Sequence, residues 1–460
     1  MRIQSYLKRT RRSVGVALGL CSALGSHVAR AELTLAEKDG FRVFTEGRIN
    51  TFASVGFGDE FPLASPNPDG GPPHNLVGET ALGAAGQNTD QDDAANKYFA
   101  IRGRNGFLGS VLGLGVRHNV TATTTAKGFV ALWGHAESFN RDRANLSDID
   151  VREGYVNFEG PWGSLTAGRA LGLFGRISTE IDFSYGHNYG LGYPCGDAQG
   201  PTCGHIGTGV MFPGFGAGFQ YSTPALAGVQ LHVGLYDPVR LLGAWNRSPI
   251  ARPEGALSFQ HKFGGSGLIK LQAEGMWQPI SRLQTSAATP PVQTLFNDKV
   301  WGIAGGARVE AGPVRFGAAA FRGKGLGQYY ALQNSPAVFS PITYEVRNFT
   351  GVYAQAALVF GPVQVSAGAG RVSISQLAVD KRDATISNAK SQTGISAAVY
   401  YSVSDSLVLG LDYFRFQADW YGAPRSTVDA ATGMTRILAG YIAPERQVVS
   451  YLNAGATFHW

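Results

Sequence analysis

The 460-residue sequence predicts an all-β protein: a transmembrane antiparallel β-barrel of sixteen strands, closed around water and narrowed by one long infolded loop. Three observations carry that prediction. Apolar and polar residues alternate along short stretches, as where Ile269, Leu271, Ala273 and Trp277 interleave with Lys270, Gln272 and Glu274. Val229, Leu231, Val233 and Leu235 interleave in the same way with Gln230 and His232. A soluble sandwich also alternates but hides its apolar face in a core, whereas a membrane barrel turns that face to lipid and the other to water. Long and short connections alternate too, as they do where one rim carries turns and the other loops. Finally, no run of 18 or more apolar residues follows residue 31, which excludes a helical crossing.

Residues 1–31 read as a secretory signal that precedes the working protein. Lys8, Arg9, Arg11 and Arg12 make a basic start, Val14 to Ala23 an apolar run, and Ala29-Arg30-Ala31 an A-x-A cleavage site. A membrane anchor would need about 20 apolar residues, and this run is shorter. The signal holds six of the 39 Lys and Arg residues and none of the 33 Asp and Glu. The formal charge of +6 therefore belongs to export, and the mature chain, 32–460, is balanced. Nucleic acid is not an expected partner, because no net positive charge remains to neutralise phosphates.

The barrel begins with a strand near 41–57. Long segments follow at 58–96, 137–148, 172–213, 238–253, 278–298, 324–347, 374–389 and 418–445. Between them lie short links at Gly160 to Gly163, Thr223 to Ala227, Gly264 to Gly267, Ala311 to Pro313, Gly361-Pro362 and Ser404-Asp405. A strand on each side of every link gives sixteen. The segment 105–124, rich in Gly and Thr where a short turn is expected, raises the number to eighteen if it holds another hairpin.

The segment 172–213 is expected to be the constriction loop. A loop of about 40 residues without its own secondary structure is usually functional. In a barrel too wide to fill with side chains, such a segment can fold back inside and set the size and charge of the hole. At the other end of the chain, Leu452, Ala454, Ala456, Phe458 and Trp460 alternate with Asn453, Gly455, Thr457 and His459. A closed barrel must pair this last strand with its first.

Several of these stretches are similar to the Gram-negative general porins, the trimeric sixteen-stranded diffusion channels. Glu46-Gly47-Arg48-Ile49-Asn50 resembles their first strand, and Val151-Arg152-Glu153-Gly154-Tyr155-Val156 with Gly163-Ser164-Leu165-Thr166-Ala167-Gly168-Arg169 their fourth and fifth. Phe219-Gln220-Tyr221-Ser222-Thr223-Pro224, with Gly228 after it, resembles the sixth strand and its turn. With the terminal Trp460, the resemblance covers the mature chain in outline.

The resemblance implies a homotrimeric outer-membrane porin of a Gram-negative bacterium, with outer-membrane lipid around it. Small hydrophilic solutes and ions would diffuse through it passively, with no cofactor and no enzymatic activity. It implies a basic wall carrying Arg48, Arg102 and Arg169, opposite loop acids Glu180 and Asp182. It also implies that Phe458 and Trp460 are read by the outer-membrane barrel assembly machinery. The chain departs from the family in lacking the P-E-F-G-G run of the enteric loops. It also reads M-F-P-G at Met211 to Gly214, where an arginine is usual.

Other clusters suggest less. Cys195 and Cys203, the cysteines left after cleavage, stand seven residues apart in an exported loop and predict a disulfide. A metal site with His205 would lack a fourth ligand. Asp90, Asp92 and Asp93 read as a solvated acid patch rather than a Ca²⁺ loop, having neither its Gly nor its distal Glu. His135 and Ser138 lack the orienting third group that nucleophilic catalysis needs, so no catalytic residue is assigned. The alternatives are a substrate-specific sugar or organic-anion channel, which would line its path with aromatics, and a surface-binding protein or enzyme built on a barrel. A gated receptor would need a plug domain, for which Glu32 to Gly40 is too short.

Overall fold

The computed structural model describes residues 32–59, 91–92, 97–106, 109–134, 149–184, 192–194, 202–238, 248, 250–264, 266–285, 293–326, 345–378, 381, 389–421, 423–428, 435–442 and 446–460. The expected signal 1–31, Asp90, Asp93, His135, Ser138 and Cys195 lie outside the described residues, as do the side chains of Asp92 and its neighbours.

The chain opens with a hairpin of β1 (Leu33–Lys38) and β2 (Phe41–Asp59). Asp39 and Gly40 turn it at φ 52° and 78°, the positive values a two-residue type I′ turn demands. β3 (Gln91–Asp92) and β4 (Lys97–Arg104) pair with each other, and β4 runs along Phe52 to Asp59 of β2. β5 (Ser110–Asn119) continues on the same side along Phe41 to Arg48. The second wall strand is thus one strand broken at 105–109. Side chains hold the break: Asn105 Nδ2 donates to the Asn50 carbonyl, Gly106 N to Asn50 Oδ1 at 2.9 Å, and Asn50 Nδ2 to the Gly109 carbonyl at 3.0 Å. The region 105–124 therefore holds the break, half a strand and a turn rather than an added hairpin, and the barrel has sixteen strands, with β1 and β3 as extras.

β6 (Thr125–Gly134), β7 (Ile149–Gly160) and β8 (Gly163–Leu171) follow. A long loop then carries the five-residue helix α1 (Arg176–Glu180) and a small pair, β9 (Tyr193–Pro194) and β10 (Thr202–Gly204). The wall resumes with β11 (Phe215–Ser222), β12 (Val229–Tyr236), β13 (Arg252–Phe263), β14 (Gly267–Thr285) and β15 (Gln293–Ala311). It continues through β16 (Val314–Lys324), β17 (Asn348–Phe360), β18 (Val363–Ile374), β19 (Ala389–Ser402) and β20 (Leu407–Trp420). A loop hairpin, β21 (Ala423–Val428) and β22 (Thr435–Ile442), precedes the last strand, β23 (Arg446–His459). Much of the expected loop 278–298 is strand, since β14 and β15 stay paired from Trp277↔Trp301 to Thr285↔Gln293. Pro279 inside the run disguises it, because proline ordinarily marks the end of a strand.

Neighbours pair antiparallel all the way round, β8 with β11 and β20 with β23 across the intervening loops. β23 closes on β2 from Arg48↔His459 to Gly58↔Val449. At the seam Trp460 N donates to the Gly47 carbonyl at 3.1 Å, and Gly47 N to the Trp460 carbonyl at 3.0 Å. A Cβ at Gly47 would overlap the Trp460 ring, so only glycine fits there. Closure leaves no edge in the membrane, where lipid could not satisfy free N–H and C=O groups.

The alternation sorts the faces as expected. Leu231, Val233, Leu235, Leu257, Leu271, Ile303, Val352 and Leu411 are exposed on the outside, while Gln230, His232, Gln272, Glu274, Arg308, Gln355 and Asn453 are buried inside. Strand length is uneven: β11 and β12 have 8 residues each, β14 and β15 have 19.

Candidate constriction site

The loop between β8 and β11 lies inside the barrel and follows its wall. Its two feet meet where Gly172 N donates to the Gly214 carbonyl at 2.9 Å. Leu173 N and Phe174 N donate to Glu254 Oε2 on β13 at 2.8 and 3.0 Å. Gly175 N and Ile177 N donate to the two oxygens of Glu274 on β14, at 2.6 and 2.7 Å. Further along, Phe183 N donates to Gln355 Oε1 at 2.5 Å, Asn453 Nδ2 to the Gly192 carbonyl at 2.9 Å, and Thr202 N to the Asn105 carbonyl at 2.9 Å. These partners stand on β17, on β23 and beside β4, so the loop reaches most of the way round. Glycine makes the close approach feasible: a side chain at Gly306 or Gly317 would collide with Ile177 or Ile181 of the loop.

Both acids expected on the loop are bound to wall or loop partners. The Glu180 carboxylate pairs with Lys270 of β14, and its carbonyl accepts from Arg308 Nη1 at 2.8 Å. Arg308 in turn pairs with Glu310 at 2.7 Å and lies 4.7 Å from the Phe183 ring centre. Asp182 accepts from Ser184 N at 3.0 Å and contacts His205 Nδ1 at 2.7 Å. Tyr353 of β17 stands 2.9 Å from the same ring nitrogen. Burial disfavours an imidazolium at His205, but the Asp182 carboxylate, with Asp412 further off, raises its pKa above the ordinary value.

The three arginines named from the sequence stand apart. Arg48 of β2 is buried inside, donates from Nε to the Gly109 carbonyl at 3.2 Å, and lies 4.9 Å from the centre of the Trp133 ring. Arg152 of β7 stacks on that same ring at 4.7 Å. Arg102 of β4 is half-buried and donates to the Ile101 carbonyl at 2.9 Å. Arg169 shares its strand face with Leu165 and Ala167, the outward face, and lies opposite Gly154 and Ala217. Its ion partner among the described residues is Asp150 at 3.8 Å, not Glu180 or Asp182. Cys203 is buried and disulfide-bonded. Phe458 is exposed on the outside, with the Trp460 ring 6.3 Å away.

Sequence reasoning missed Lys270, Glu254, Glu274 and Arg308 as the loop's partners on the wall, and His205 as the partner of Asp182 within the loop. Alternation already placed Lys270 and Glu274 on the polar face; what it could not supply was the segment each one meets. Below α1 the loop and wall enclose a cavity of about 540 Å³ that reaches down to the short turns. Arg176, Lys262, Lys270 and His232 line it with Glu159, Glu180 and several Ser and Gln residues.

Residues 74–419 match the family model of the Gram-negative porins. Among solved structures, the chain is similar to an anion-selective porin from Comamonas acidovorans, with 13% identity and a TM-score of 0.53 over 91% of this chain and 100% of that one. It is also similar to the outer membrane channel DcaP of Acinetobacter baumannii, with 13% identity and a TM-score of 0.57 over 92% and 99%. A comparison with curated protein sequences finds no match. At such identity the structures speak to the fold, and the family match, over most of the chain, speaks to membership. The closed barrel, its infolded loop and that match together place the chain in the Gram-negative porin family, as an outer-membrane channel for passive diffusion.

Proposed function

We propose that small hydrophilic solutes pass between the infolded loop and the inner wall facing it, with anions favoured over cations. The observation that carries this is the pairing of both loop acids. Glu180 is held by Lys270 and Asp182 by His205, so neither projects an unopposed negative charge across the path. The wall of β2, β5, β6 and β7 carries Arg42, Arg48, Arg117, Lys127 and Arg152 with the acids Glu46, Asp150 and Glu153, and with Glu32 paired to Arg42 and Arg117. The cavity beneath sets Arg176, Lys262 and Lys270 against Glu159 and Glu180. One unit charge about 5 Å from a passing ion contributes about 0.8 kcal/mol in water, roughly a fourfold effect on partition. The Comamonas protein described as anion-selective is consistent with that sign.

An aromatic track for sugars is not favoured. Phe44, Phe129, Trp133 and Tyr155 are buried in a cluster with loop residues, and Trp277 is exposed on the outward face. The family's fold is that of a channel, and no reaction is proposed for it.

The working unit is a homotrimer. Eight residues at about 3.3 Å each, tilted about 40°, rise only roughly 20 Å, against an apolar band about 25 Å tall. The low wall at β11 and β12 is therefore suited to cover by a second copy. Export by the 1–31 signal, recognition of Phe458 and Trp460 by the assembly machinery, and a Cys195–Cys203 bond complete the reading. Reversal potentials of purified protein under a KCl gradient test the selectivity. A preference for chloride is expected, and a preference for potassium would overturn it. Crosslinking in mild detergent should yield a three-chain species, and a monomer at every concentration would contradict the trimer.

A further inference from the structure

We infer that Glu254 and Glu274 are positioning residues that hold the loop's first turn against one side of the barrel and thereby set the width of the path. The inference rests on the channel reading. The two carboxylates occupy inward positions on adjacent strands, Glu254 opposite Met276 and Glu274 opposite Ala256. Between them they accept four backbone N–H groups from one short piece of chain, those of Leu173, Phe174, Gly175 and Ile177.

That piece is where the chain leaves β8 and turns into the lumen. Its N–H groups have no ladder partner, and every buried donor needs one. Water in the lumen could serve them equally well at many positions of the loop. A pair of carboxylates serves them at one position, through charge-assisted bonds that are shorter and stronger than neutral ones.

The acceptors are themselves held by the wall. Arg252 Nε donates to Glu254 Oε1 at 2.9 Å, and Gln272 Nε2 donates to Glu274 Oε1 at 2.5 Å. Each support stands two residues from its carboxylate on the same strand, so the acceptors are oriented by the wall rather than by the loop. Leu173, Phe174 and Ile177 are buried behind the bonded backbone, so the fit includes packing as well as hydrogen bonds. Beyond this point Lys270, also on β14, holds Glu180 at the end of α1. Releasing the first turn would let α1 swing into the cavity beneath it.

Single-channel recording of the full-length protein in planar bilayers tests this. The comparison takes the wild type, Glu254→Gln, Glu274→Gln, the double Glu254→Ala/Glu274→Ala variant, and Asp298→Asn as control. Asp298 pairs with Lys324 at 2.9 Å on the inner wall, away from the loop's first turn. The double variant should close under voltage about tenfold more often, as expected for loss of hydrogen bonds to charged acceptors. The Gln variants, whose amide oxygen still accepts, should fall between it and the wild type, and Asp298→Asn should match the wild type. Equal closure in the double variant and wild type, or the same rise in Asp298→Asn, would overturn the inference. If the double variant fails to fold as a heat-modifiable barrel, Gln variants that behave as wild type overturn it instead. A wild-type protein that does not conduct contradicts the channel reading and takes the inference with it.

Discussion

Lys270 shows what alternation along a sequence can and cannot reveal. Its place on the polar face of a strand follows from its neighbours, but its partner, Glu180, lies 90 residues away. The same separation of scales hides Glu274, whose loop partners are 97 and 99 residues distant. Arg169 illustrates the opposite case. Its sequence setting, at the end of the strand that feeds the loop, suggested the constriction, yet the register puts it on the face of Leu165 and Ala167. Charge reversal separates the two positions. Lys270→Glu should free Glu180 and move ion preference towards cations at low salt, by roughly fourfold for each of the two unit charges changed. Arg169→Glu should leave the reversal potential unchanged; an equal shift from both would put Arg169 back in the lumen.

His205 adds a dependence on pH. Because its pKa is raised in the folded loop, the stabilisation from its charged form is fully present below the ordinary value of about 6.5 and is lost as pH rises through the raised one. Current noise from loop motion should therefore grow on the alkaline side and lose that dependence in His205→Gln. Noise that stays constant from about pH 6 to pH 9 in the wild type would contradict this.

At the scale of elements, the strands were legible because lipid outside and water inside impose a period of two that nothing in the chain contradicts. The departures have physical causes. The first hairpin turns at Asp39-Gly40, in a segment whose sequence reads only as too short for a plug domain. The break at 105–109 showed in the sequence only as part of an overlong Gly- and Thr-rich segment, since Asn50, which satisfies it, stands in a different strand. Pro279 cut a 19-residue strand short on paper while its backbone stayed paired to Lys299 in the register. The terminal strand is the element with the sharpest consequence. Deleting His459 and Trp460 removes both Gly47 hydrogen bonds and the ring over Gly47, and opens backbone groups that lipid cannot satisfy. Heat-modifiable barrel in the membrane fraction should fall sharply, and an unchanged yield would contradict the role of the seam.

The whole molecule is a closed wall with an asymmetric interior. The loop is seated on β13 to β18, on β23 and beside β4, held by carboxylates, by amides and by glycines that let its backbone approach. The wall that carries the stacked arginines, Arg48 and Arg152, also packs against the loop through Phe44, Phe129, Trp133 and Tyr155. The existence of an infolded loop was legible in its length and composition, but the side it occupies was not, because that depends on partners spread from Asn105 to Asn453. Conductance of the purified full-length protein in a planar bilayer under a KCl gradient tests the central claim most directly. Discrete ohmic steps with a reversal potential on the chloride side are expected, and folded protein that inserts but passes no current would contradict the channel itself.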